Sequence, residues 1–101
     1  MIIVQVQHFL NKAGQGYFPQ WVEKLSKKLQ RYNGFVSICV LESLESSDEC
    51  HLQLTFENED SLLEWANSVD HDNLIAELKP YRKQKQVSSI FRVTDEFYRV
   101  D

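Results

Sequence analysis

The sequence predicts an α+β domain of ferredoxin-like βαββαβ order, a four-stranded antiparallel sheet with its helices on one face. Three observations carry this. Residues 2–10 and 50–57 alternate apolar and polar side chains, as half-buried strands do. Residues 17–32 and 58–79 repeat apolar side chains at intervals of three and four, as helices with one buried face do. Turn formers separate these segments in the order strand, helix, strand, strand, helix, strand.

The first strand, IIVQVQHFL, sets Ile2, Val4 and Val6 on one face and Ile3, Gln5 and Gln7 on the other. His8, near its end, reads as polar surface. Residues 11–16, NKAGQG, read as a loop. Residues 17–32 form the first helix, with Phe18, Trp21, Val22, Leu25, Leu29 and Tyr32 as its stripe and Pro19 in its first turn. Asn33-Gly34 ends it. The second strand, 35–41, is apolar on both faces, so something should cover the side away from the helices.

Residues 42–49 read as a polar hairpin loop. The third strand places Cys50, Leu52, Leu54 and Phe56 on the dry face. His51, Gln53 and Thr55 fall on the other, where a dimer interface is expected. Asn58 caps the next helix, whose first turn carries Glu59 and Asp60 at the positive end of its dipole. Leu62, Trp65, Ala66 and Val69 form its stripe. Polar residues 67–72 break it, and a short helix restarts at His71 with Leu74, Ile75 and Leu78 buried. Pro80 ends that helix, YRKQK reads as a basic exit loop, and 86–93 as the fourth strand.

Composition narrows the function classes. The chain has 101 residues, 43% of them hydrophobic and 26% charged. It reads as one domain, 1–101, with 94–101 a tail whose Phe97, Tyr98 and Val100 suit packing on a partner subunit. A domain of this size hides only about two-thirds of its unfolded surface, so a homodimer is expected, two sheets face to face as a dimeric α+β barrel. A net charge of −4 argues against a nucleic-acid partner, and CHLQLTFE lacks the motif an RNA-binding sheet of this topology carries. No membrane role is expected, because no apolar run nears the roughly 20 residues of a span. The N-terminus lacks the features of a signal peptide, so the expected location is cytoplasmic. Cys39 and Cys50 are expected to be reduced, buried in strands. No pair among His8, His51, His71, Cys39 and Cys50 has a metal-ligand spacing, and no metal is expected.

Three stretches carry a resemblance: GFVSICVLES at 34–43, LTFENEDSLLEWANSVDHDNLIAELKPY at 54–81, and SSIFRV at 88–93. Gly34-Phe35, Trp65, Ser68, His71, Leu74-Ile75 and Pro80 make the chain similar to the antibiotic biosynthesis monooxygenase (ABM) domain of the dimeric α+β barrel superfamily. The resemblance implies a largely apolar pocket between the sheet and the second helix region. It implies cofactor-independent oxidation of a small aromatic or otherwise apolar substrate. The superfamily also offers a ligand-binding or sensing dimer without catalysis, and a small-molecule isomerase.

Within that frame His71 is the candidate acid/base, since an imidazole titrates near neutrality. Trp65 is the candidate pocket wall, although its spacing with Leu62 also suits a plain core residue. Gln7 stands where haem-degrading relatives carry a strand-one asparagine and is a candidate polar group. Those relatives carry an axial histidine where this chain has Ile75, so no haem, and no other cofactor, is expected. Tyr81 and Arg92 are further candidates for binding substrate.

Overall fold

The computed structural model describes residues 1–46 and 49–100. Its elements are β1 (Ile2–Leu10), α1 (Lys12–Leu29), β2 (Phe35–Leu41), β3 (Cys50–Phe56), α2 (Glu59–Ala66), α3 (Val69–Leu78), a 3-10 turn (Lys79–Tyr81) and β4 (Arg82–Arg92). The strands form one antiparallel sheet in the order β2-β3-β1-β4. The predicted order and sheet are those observed, with the second helical region split in two. Of the expected 42–49 hairpin loop, Ser47 and Asp48 lie outside the described residues, as does Asp101 of the tail.

The register fixes which side chains meet. Val4 pairs with Leu54 on one side and Ile90 on the other, and Val6 pairs with Leu52 and Ser88. Side chains alternate along each strand, so these share the face under the helices. Ile2, Val4, His8 and Leu10 of β1 and all four even-numbered residues of β3 are buried there. Phe18, Trp21, Leu25 and Leu29 of α1, Leu62 and Trp65 of α2, and Leu74 and Leu78 of α3 complete one core.

Four boundaries differ from the sequence reading by two residues or more. The first helix begins at Lys12, not 17, because Asn11 caps it: its Oδ1 accepts from Gly14 N at 2.8 Å. Gly14 serves close packing, not a turn. A Cβ there would lie 2.6 Å from Tyr81 Cβ. Pro19 is therefore inside the helix, and α1 ends at Leu29, short of Tyr32. The fourth strand starts at Arg82, so most of the expected basic loop is strand. The Asn11 N–H donates to the Tyr81 carbonyl at 2.8 Å, and Arg82 pairs with Leu10. An edge strand tolerates such charge, since its outer side faces water. The third helix starts at Val69, two residues before His71, and Val69 is exposed.

Among the described residues, Gly34 is the one with positive φ, +82°. Its carbonyl accepts from Glu57 N at 2.7 Å, and a Cβ at this position would overlap Ser61. Gly34→Ala combines a left-handed backbone with a collision. It should cost about 2 kcal/mol or more, measurable as a fall of several degrees in the thermal midpoint.

The second strand is apolar, as expected, yet most of it is exposed in the single chain, including Val36, Val40 and Leu41. Cys39 is also exposed, contrary to expectation, while Cys50 is buried. Cys39 pairs with Gln53, so the two thiols sit on opposite faces of the sheet. The face away from the helices carries Ile3, Leu41, Val87 and Phe91 around a hydrogen bond from Gln5 to Gln53 of 3.1 Å. Residues 93–100 of the tail have no regular structure, and Phe97, Tyr98 and Val100 are exposed. Among the described residues, no helix is long and apolar enough to cross a membrane.

Candidate functional site

A cavity of about 160 Å³ lies between the helix-covered face of the sheet and the three helices. Its floor is Val4, Val6 and His8 of β1 with Leu52, Leu54 and Phe56 of β3. Trp21 and Leu25 of α1, Leu62 and Trp65 of α2, and His71, Leu74 and Ile75 of α3 form the roof. Gln86, Ser88 and Ile90 of β4 close one side. Ser88 and Ile90 are exposed, so the cavity opens along this edge strand.

The junction of α2 and α3 places two of the predicted site residues together. The hydroxyl of Ser68 donates to the Trp65 carbonyl at 2.7 Å and accepts from the His71 N–H at 3.1 Å. One side chain thus ends α2 and caps α3. This links Trp65 to His71, whose rings meet edge to face at 5.6 Å. Trp65 also meets Tyr32 edge to face at 5.1 Å and is buried, so it is both core and cavity wall.

His71 Nδ1 is buried and has no hydrogen-bond partner, although the rest of the ring reaches solvent. The Asp72 carboxylate approaches it only to 3.5 Å, without hydrogen-bond geometry.

The third helix is tied at its two ends to α1 and to the turn that follows α1, by matching groups. Tyr17 donates to Glu77 at 2.6 Å, and Lys24 reaches the same carboxylate at 2.9 Å. Tyr32 donates to Asp70 at 2.9 Å, with Lys28 at 3.5 Å. Both carboxyls are held below their usual range, first by the tyrosine hydroxyl and then by the lysine. Each therefore stabilises the fold above the ordinary carboxylate pKa, and the contribution is lost as pH falls through the lowered value. These ties fix the helix that carries His71. Between them the Trp21 indole N–H donates to the Leu74 carbonyl at 2.8 Å.

His8, expected at the surface, is 2% exposed and lines the cavity. Its ring lies edge to face against Trp21 at 5.2 Å and near Phe18 at 6.0 Å. Its Nδ1 also lacks a partner. Burial, and then the positive charge of Arg82, lower its pKa to about 4. At neutral pH His8 is an uncharged imidazole.

The other predicted residues lie elsewhere. Gln7, by strand parity, faces away from the cavity, opposite His51 and Val87. Tyr81 stacks on Tyr17 at 5.5 Å and is not part of the lining. Arg92 pairs with Glu59 at 2.7 Å on the surface. His51 pairs with Glu49 at 2.8 Å on the open side of the sheet. Among the described residues, no group of three or more His, Cys, Asp and Glu side chains is placed to hold a metal ion.

Solved structures share this fold. The chain matches a candidate antibiotic biosynthesis monooxygenase from Deinococcus radiodurans with a TM-score of 0.86, over 100% of both chains at 11% identity. It matches a variant of SnoaB, a cofactor-independent oxygenase from Streptomyces nogalater, with a TM-score of 0.80, over 95% of each chain at 10% identity. A conserved protein from Methanosarcina mazei Go1 matches with a TM-score of 0.81, over 90% of each chain at 16% identity. No family model matches the sequence, and no curated protein matches it either. At these identities the likeness is one of fold.

Proposed function

We propose that this chain is an ABM-type monooxygenase that oxidises a small, electron-rich aromatic substrate in the cavity between the sheet and α2–α3. The observation that carries the reading is an apolar cavity walled by Trp65 and lined by two imidazoles, those of His8 and His71.

The chemistry asks little of the protein beyond placement and proton transfer. The substrate loses a proton and the resulting anion supplies electrons to dioxygen. One oxygen atom ends on the ring as a carbonyl and the other leaves as water, so a hydroxyarene and dioxygen give a quinone and water. His71, whose ring touches both cavity and solvent, is suited to exchange protons with bulk water.

The size of the site bears on the substrate. An apolar cavity of about 150 Å³ accepts benzene, and sites for drug-sized ligands start at about 300 Å³. At 160 Å³ the cavity holds one ring, and the remainder of a larger substrate passes out along Ser88 and Ile90.

Oxygen consumption with a panel of single-ring phenols bearing electron-donating groups tests the reading. Uptake matched to quinone formation is expected, and His71→Ala should lower kcat by about 10²–10⁴ with ligand affinity retained. Binding of the same compounds without any oxygen uptake would contradict catalysis and leave a ligand-binding protein.

The same reading makes the protein a homodimer through the open sheet face, because Leu41, Val87 and Phe91 are otherwise exposed there. Sedimentation should give the mass of two chains, and Phe91→Asp should shift it to one. A wild-type protein that sediments as a single chain would contradict this.

A further inference from the structure

We propose that His8 is the group that takes the substrate's proton, a catalytic role separate from that of His71. The inference rests on the cavity being the binding site. It starts from β1, whose helix-facing positions are Ile2, Val4, Val6, His8 and Leu10. His8 is the one polar side chain in that row, and an apolar residue there would avoid the cost of an unpaired nitrogen. Its ring neighbours Phe18 and Trp21 are aromatic, and no described residue hydrogen-bonds its Nδ1.

Three features fit His8 for a proton from a hydroxyl. Its ring is neutral at working pH, so one of its two nitrogens is an acceptor. It sits under the roof from α1 and α3, away from water that would compete for that nitrogen. Beyond it the guanidinium of Arg82 donates to Gln86 Oε1 at 2.8 Å, and Gln86 itself lines the cavity. This fixes a polar amide on the cavity wall.

The step balances simply. The substrate O–H bond breaks, its electron pair stays on oxygen, and the proton forms an N–H bond to His8. The new phenolate raises the basicity of His8, because an opposite charge within about 4–6 Å favours the imidazolium and so opposes the effect of burial. No oxidant enters this step. His71, in contact with solvent, restores the proton balance afterwards.

The division of labour predicts selective binding. Phenol and toluene are nearly the same size, but only phenol offers a hydroxyl. Calorimetric titration of each into wild-type protein, His8→Leu and His71→Leu separates the roles, with the His8 ring nitrogens followed by nitrogen NMR. Wild type should bind phenol at least about tenfold more tightly than toluene, equivalent to 1.4 kcal/mol, and phenol should shift the His8 nitrogen resonances. His8→Leu should keep toluene binding and lose the preference, whereas His71→Leu should retain it. Equal binding of phenol and toluene by wild type would overturn the role of His8 while leaving the cavity as the site. Binding of neither would overturn both. Retention of the preference in His8→Leu would assign the hydroxyl to another group and overturn the proposal.

Discussion

Trp21→Ala should lower the unfolding free energy by about 5 kcal/mol. Truncating a buried tryptophan costs about 3–5 kcal/mol through lost transfer energy and the hole left behind. Trp21 is 1% exposed, so little relaxation toward solvent is available. The change also strips the Leu74 carbonyl of its donor inside the core, adding about 1–3 kcal/mol. Domains of this size have only about 5–15 kcal/mol in total, so the variant should be largely unfolded or close to it at 37 °C. Trp21→Phe keeps most of the volume and loses the hydrogen bond, and should cost about 1–3 kcal/mol. Urea titration of the three proteins gives the comparison. A loss under about 2 kcal/mol for the alanine variant would mean that the roof of the cavity does not depend on Trp21.

Acidification from pH 8 to pH 5 should destabilise the wild-type protein by about 2 kcal/mol through His8 alone, and His8→Leu should remove that slope. The sign follows from where the proton binds. In the unfolded chain His8 titrates near its ordinary value of 6.5, and in the folded chain near 4. Between those values the unfolded state binds more protons, so stability falls as pH drops through 6.5 and levels off below 4. Asp70 and Glu77 act in a lower window, since their folded values lie below the usual carboxylate range. Their effect is shared by both proteins and cancels in the difference. Denaturant titrations at pH 8, 6.5 and 5 on wild type and His8→Leu give the slope. Parallel curves would mean that His8 is solvated or paired in the folded state.

The sheet and its order were legible because both periodicities are clean. Ile2, Val4 and Val6 set the parity of β1, and the register carries that parity across Leu52, Leu54 and Ile90. The break between α2 and α3 was legible from the polar run 67–72, but the capping role of Ser68 was not, and it starts α3 at Val69, two residues before the expected restart at His71. His8 was missed for another reason. Its position continues the row of Ile2, Val4 and Val6, but its polarity suggests surface, and polarity was given more weight than parity. The same parity puts Gln7 on the far side of the sheet.

Other features depend on tertiary context that no local pattern encodes. Asn11 is a cap and a turn former by chemistry; here it caps α1, and Tyr81 packs so closely on Gly14 that a Cβ there would collide with it. Arg82 and Lys83 look like loop until β1 offers them an edge to pair with. The cavity is a gap left between α1, α3 and β4, and its volume follows from packing across elements far apart in sequence.

A crystal structure of the protein soaked with 4-bromophenol tests the central claim most directly, because bromine locates the ring by its anomalous signal. The account predicts one ring in the cavity against Trp65, its hydroxyl oxygen about 2.6–3.2 Å from an imidazole nitrogen of His8, and its bromine toward Ser88 and Ile90. A cavity left empty at saturating ligand, or a ring bound only outside it, would contradict the account.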